Sequence, residues 1–110
     1  MRVSKLAAIF LAFTVVLFIL APCAAWADDG ATLYKTKCAA CHGVDGAGKP
    51  TAKIPSLISD EAKAATDAGL TDEIANGGAT KKPTHAFESK GVTADQVKMI
   101  VSYIRDLQKK

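Results

Sequence analysis

The sequence predicts a small all-α domain. Three observations carry this. Val97, Ile100, Val101, Ile104 and Leu107 recur at helical spacing near the C-terminus, behind a Thr93–Gln96 pair of the capping-box type. Glycine clusters at Gly43, Gly46 and Gly48, and again at Gly77 and Gly78, cut the remaining chain into short segments. No convincing strand pattern appears anywhere in the chain.

The N-terminus reads as a secretory signal. Arg2 and Lys5 precede an apolar run from Leu6 to Leu20, and Ala25-Trp26-Ala27 offers small residues for cleavage before Asp28. The run is short for a membrane span and ends at Ala21-Pro22, so no stable membrane insertion is expected. Two alternatives are an uncleaved anchor and lipid attachment at Cys23, which Pro22 fits poorly. The expected division is therefore a signal peptide over 1–27 and one domain over 28–110. Cleavage takes away Cys23, Trp26, Arg2 and Lys5, and the formal net charge falls from +3 to +1. The remaining lysines are interleaved with acids, which argues against a nucleic-acid partner.

Along the domain, Asp28-Asp29 suits a helix start, and this first helix runs through Leu33 and Tyr34 toward Cys38. The first glycine cluster opens a loop that leads to Ile54-Pro55-Ser56-Leu57. Ser59-Asp60-Glu61 starts a second helix, and Thr71-Asp72-Glu73-Ile74 a further short one that ends at Asn76-Gly77-Gly78. Ala79 to Gly91 reads as a loop interrupted by Pro83. The last helix must pack its stripe on something, and the first helix offers Gly30, Ala31, Leu33 and Tyr34, with Tyr103 flanking the crossing.

The chemistry is concentrated in Cys38-Ala39-Ala40-Cys41-His42, a C-x-x-C-H motif of the form that attaches a c-type haem. Residues three and four apart share a helix face, so Cys38 and Cys41 can reach two vinyl groups while His42 reaches the iron. A redox disulfide would want a strand–helix–strand context, and a zinc site four ligands. Residues 28–110 offer only His85 beyond this cluster. Their aromatic residues are Tyr34, Phe87 and Tyr103 alone, which is little core for a small domain. One covalent haem c would supply the missing centre.

Taken together, the chain resembles a class I cytochrome c. The resemblance rests on Cys38 to Gly43, Asp45-Gly46-Ala47-Gly48, Ile54-Pro55-Ser56-Leu57, Asn76-Gly77-Gly78 and Val101-Ser102-Tyr103-Ile104, in that order. It implies short helices wrapped around one haem with the N- and C-terminal helices packed together. It also implies a monomeric, non-enzymatic one-electron carrier in the periplasm, working between redox partner proteins. Pro55 looks like the family proline whose carbonyl accepts a hydrogen bond from the proximal histidine, and Leu57 would pack on the haem face.

The chain departs from the family in lacking a methionine in the loop before the last helix. Met99 lies inside that helix, about 120° from the centre of its apolar stripe. The expected ligand loop carries His85, between Pro83 and Phe87, which makes His85 the best-placed distal ligand opposite His42. Lys81 and Lys82 are weaker candidates, since an amine must first lose its proton. Histidine in place of methionine implies a low-potential carrier. The alternative is a five-coordinate haem protein that binds a gas ligand or senses redox state. Lys49, Lys53, Lys81 and Lys82 could ring an exposed haem edge and steer acidic partners.

Overall fold

The computed structural model describes residues 23–110, with side chains from Gly30 onward. The expected signal peptide lies mostly outside the described residues. Among the described residues, five α-helices follow in order: α1 (Cys23–Lys37), α2 (Ala39–His42), α3 (Asp60–Ala64), α4 (Asp67–Asn76) and α5 (Ala94–Gln108). Short 3-10 turns stand at Pro50–Ala52 and Phe87–Lys90. An isolated antiparallel bridge joins Lys49 to Ile54. The expected all-α class is the observed one.

Helix α5 is the spine. Its capping box is complete: Gln96 N–H donates to Thr93 Oγ1 at 3.2 Å, and Thr93 N–H to Gln96 Oε1 at 2.9 Å. The predicted stripe of Val97, Ile100, Val101, Ile104 and Leu107 is buried in full. It packs with Tyr34 from α1, Ile74 and Ala75 from α4, and Val92. Tyr34, Val97 and Ile100 are the largest fully buried side chains, each worth about 1.5–3 kcal/mol of burial.

Helices α1 and α5 cross at Gly30, where a Cβ would lie 2.7 Å from the Met99 carbonyl oxygen. Only a glycine permits that approach. Met99 therefore belongs to the helix crossing. Tyr34 and Tyr103 flank it with ring centroids 5.2 Å apart.

Two boundaries differ from the sequence reading. Helix α1 begins at Cys23, so Asp28 and Asp29 lie within it. Helix α4 begins at Asp67, capped by Thr66, whose hydroxyl accepts from Gly69 N–H at 3.0 Å. Gly69 weakens the local propensity and hides this start, but the cap and the burial of Ile74 and Ala75 outweigh it. Arg105 of α5 clasps the preceding connection, donating to the Asp67 carboxylate at 2.8 Å and to the carbonyls of Lys63 and Ala65. Gln108 Nε2 donates to Leu57 carbonyl at 2.8 Å, tying the loop before α3 to the same helix.

Candidate haem site

Helix α1 stops at the first cysteine of the motif. Cys38 N–H still donates to Tyr34 carbonyl at 2.8 Å, but the Cys38 carbonyl already accepts from Cys41 N–H and His42 N–H, at 3.2 and 2.9 Å. Cys38 thus serves as the hinge into α2. Its side chain is buried, that of Cys41 is exposed, and the two are not joined in a disulfide. Burial pushes the Cys38 thiol up to about 11.

His42 ends α2, and Gly43 follows with φ +83°. The His42 Nδ1 donates to the Pro55 carbonyl at 3.1 Å. A carbonyl only accepts, so Nδ1 carries the proton and Nε2 keeps a free lone pair. Burial holds the His42 pKa below its ordinary value; the Pro55 hydrogen bond opposes this shift and the neighbouring His85 adds to it.

The Pro55 carbonyl is itself fixed. Lys49 and Ile54 exchange backbone hydrogen bonds of 3.0 and 3.1 Å, and Leu57 N–H donates to Gly46 carbonyl at 2.7 Å. A Cβ at Gly48, which has φ +73°, would sit 2.6 Å from the Pro55 oxygen. Tyr34 hydroxyl donates to Gly43 carbonyl at 2.7 Å, bracing the residue next to His42 from the core side. Leu57 is half-buried against the core cluster.

The second imidazole comes from the loop after α4. Gly77, at φ +84°, ends that helix, and Lys82 N–H returns to Gly77 carbonyl at 3.0 Å. Lys81 and Ala86 both adopt positive φ, which turns the loop tightly around His85. His85 is half-buried, with its ring centroid 6.3 Å from that of Phe87. Its Nδ1 lies 3.3 Å from Glu73 Oε1, and the same oxygen accepts from Lys82 Nζ at 2.8 Å. That lysine hydrogen bond holds the Glu73 carboxyl below its ordinary value, against the opposing effect of burial. An ionised carboxylate can only accept, so His85 Nδ1 is the donor and Nε2 is its free nitrogen.

The rings of His42 and His85 lie together, with centroids 6.2 Å apart and planes inclined by 24°. Of the remaining candidates, Lys82 is engaged with Glu73, and Lys81 points its backbone through a left-handed turn on the exposed loop. Sequence reasoning missed two residues here. Tyr34 was assigned to the helix crossing alone, and nothing local to it marks a bond to Gly43. Glu73 read as an ordinary helix acid; its distance of 12 residues from His85 has no helical or strand period to betray the contact.

The cytochrome c family model matches residues 27–108. That span runs from within α1 through α5 and contains both histidines, both motif cysteines and Pro55. A comparison with curated proteins returns no match. Among the described residues, no helix is long and apolar enough to cross a membrane. By the family match and the helical fold together, this chain belongs to the cytochrome c family: it is an electron-transfer protein whose cofactor is covalently bound haem c and whose partners are redox proteins.

Proposed function

We propose that the protein is a low-potential, one-electron carrier working outside the cytoplasm, in which Cys38 and Cys41 would be the thioether anchors and His42 and His85 the two iron ligands. The observation that carries this reading is the pair of imidazoles, each held at Nδ1 and each with Nε2 uncommitted. Their ring centroids lie 6.2 Å apart, so the fold brings the chain's two histidines to one place. Two cysteines at C-x-x-C spacing that form no disulfide, with an imidazole next to the second one, fit the attachment chemistry.

When bound, haem c supplies the one-electron couple. The chain's own residues orient and tune it. The Pro55 carbonyl fixes the tautomer and orientation of His42. Leu57, at the edge of the core, would pack against one face of the haem. His85 takes the position that methionine fills in high-potential relatives, and imidazole favours the ferric state, which lowers the potential. Two protein ligands also favour electron transfer over binding of an external ligand.

Export is supported by the basic start, apolar run and Ala25-Trp26-Ala27 of the N-terminus, and by a family match that begins at residue 27. The mass of the secreted holoprotein tests this: a mature chain starting at Asp28 is expected, and a diacylglycerol-modified Cys23 would instead make it membrane-anchored.

Absorption spectra of ferric and ferrous holoprotein test the ligand set. Wild type should be low-spin in both states, without the weak far-red band of methionine-ligated ferric haem. His85→Ala should become high-spin and bind carbon monoxide. A His85→Ala spectrum identical to wild type would rule His85 out as the ligand, and a high-spin wild type would favour the five-coordinate sensor.

A further inference from the structure

We infer that Glu73 is the positioning residue of the distal side: its carboxylate holds the His85 ring by Nδ1 and thereby sets how firmly Nε2 donates. This rests on His85 as the distal ligand. Glu73 lies near the end of α4, where the helix dipole disfavours an acid. An acid at that place needs compensation, and the loop supplies it from two residues. Lys82 Nζ and His85 Nδ1 converge on one oxygen, Oε1, at 2.8 and 3.3 Å.

The other oxygen is equally constrained. Oε2 lies over Gly78, where any Cβ would collide with it, and Gly78 has φ +68°. The glycine thus leaves room for the carboxylate, and the turn that it makes brings Lys82 and His85 back onto α4. Glu73 is only about a third exposed, and His85 less, at 35% and 24% of their side chains. The contact is therefore partly withdrawn from solvent, unlike an ordinary surface pair.

A carboxylate on the outer nitrogen of a ligating histidine does two things. It fixes ring orientation and raises ligand basicity. On the proximal side the equivalent acceptor is the neutral Pro55 carbonyl. The distal imidazole is consequently the one with the anionic partner, and the stronger donor of the two.

The test uses holoprotein with Glu73→Gln, Glu73→Ala, Asp72→Asn and His85→Ala. Asp72 is the adjacent acid, whose Oδ1 accepts from Asn76 rather than from His85. Outer-shell partners of this kind change metal affinity by about 10–100-fold. Glu73→Ala should therefore speed carbon monoxide binding by about tenfold or more. A tenfold loss of ferric over ferrous preference corresponds to a rise of about 59 mV in potential. Glu73→Gln keeps an acceptor without the charge, so it should stay low-spin, raise the potential and bind carbon monoxide more slowly than Glu73→Ala. Asp72→Asn should shift the potential far less than Glu73→Gln, since its charge is close but does not touch the ring.

Should Glu73→Ala fail to yield folded holoprotein, the Glu73→Gln potential alone decides. Wild-type potential and carbon monoxide rates in the Glu73 variants, with His85→Ala turning high-spin, would overturn the role of Glu73 and leave the ligand intact. Equal shifts from Asp72→Asn and Glu73→Gln would overturn it too, reducing the effect to net charge. An unchanged His85→Ala spectrum would overturn both readings at once.

Discussion

The two histidines are held in contrasting ways. His42 sits at the end of a helix and donates to a backbone carbonyl, Pro55, locked by the Lys49–Ile54 bridge. His85 sits in a loop with two non-glycine residues at positive φ and donates to a side-chain carboxylate, Glu73. In both cases a positive-φ glycine lies directly against the acceptor: Gly48 under the Pro55 oxygen and Gly78 under Glu73 Oε2. The proximal acceptor cannot move without moving backbone. The distal one can rotate. With the proposed ligand set, the difference suits a division of labour in which the His42 side is fixed and the His85 side is tunable.

Substituting the two glycines is the strongest way to break this contrast. At Gly48, alanine must accept a left-handed backbone and push both the Ile54 and Pro55 carbonyl oxygens, each 2.6 Å from its Cβ. The expected cost is about 2–4 kcal/mol, of which the backbone strain alone is about 1–2 kcal/mol. At Gly78 the strain is similar, but the obstacle is the far end of a flexible side chain. Gly78→Ala should cost about 1–2 kcal/mol and, by displacing Glu73, should loosen the distal histidine. Thermal unfolding and carbon monoxide binding of the two holoproteins separate the cases. Equal destabilisation by both would mean that the distal side is as rigid as the proximal one.

Tyr34 sharpens the proximal half. It is fully buried, and its hydroxyl donates to Gly43 carbonyl at 2.7 Å. Tyr34→Phe should cost about 1 kcal/mol at neutral pH by leaving that carbonyl with one bond fewer. The same burial pushes the Tyr34 pKa up to about 12. A raised pKa means that the fold favours the protonated phenol. Its contribution is complete below the ordinary tyrosine pKa of about 10 and is lost as pH rises through about 12. The stability gap between wild type and Tyr34→Phe should therefore narrow between about pH 10 and 12. A gap that stays constant across that window would show that the phenol is not what the fold protects.

How far these features could be read in the sequence follows the range of the contacts. Helix α5 was legible in full, because its capping box and apolar stripe are local patterns with a fixed period. Cys38, Cys41 and His42 stand out for the same reason, since the proposed roles of all three rest on their fixed local spacing. His85 stood out only as the one remaining histidine in an otherwise ligand-poor loop. The onset of α4 was hidden by Gly69, and the start of α1 lay upstream of the acids that suggested it. Glu73 and the Tyr34 hydroxyl act through contacts made by the turns at Gly77 and Gly43, and no periodicity encodes where a turn delivers a side chain.

The smallest expected effect comes from Lys82, and it tests which partner of Glu73 matters. Lys82 Nζ is the closer of the two groups on Oε1, yet its side chain is 53% exposed. An exposed ion pair contributes about 0–1 kcal/mol and is screened further by salt. The loop has a second lysine clamp that does not use Glu73: Lys90 Nζ donates to Pro83 carbonyl at 2.8 Å and lies 5.0 Å from the Phe87 ring centre. Lys82→Met should therefore lower holoprotein stability by less than about 1 kcal/mol, with the loss largest at low ionic strength. It should leave the low-spin spectrum in place, because Oε1 keeps His85. Relieved of the lysine, the carboxylate polarises the ring more fully, so the potential should fall slightly, opposite in sign to Glu73→Gln. A rise in potential on Lys82→Met would mean that the lysine, by aiming the carboxylate, is what keeps the distal contact made, and the tunable side of the site would then extend to the surface of the loop.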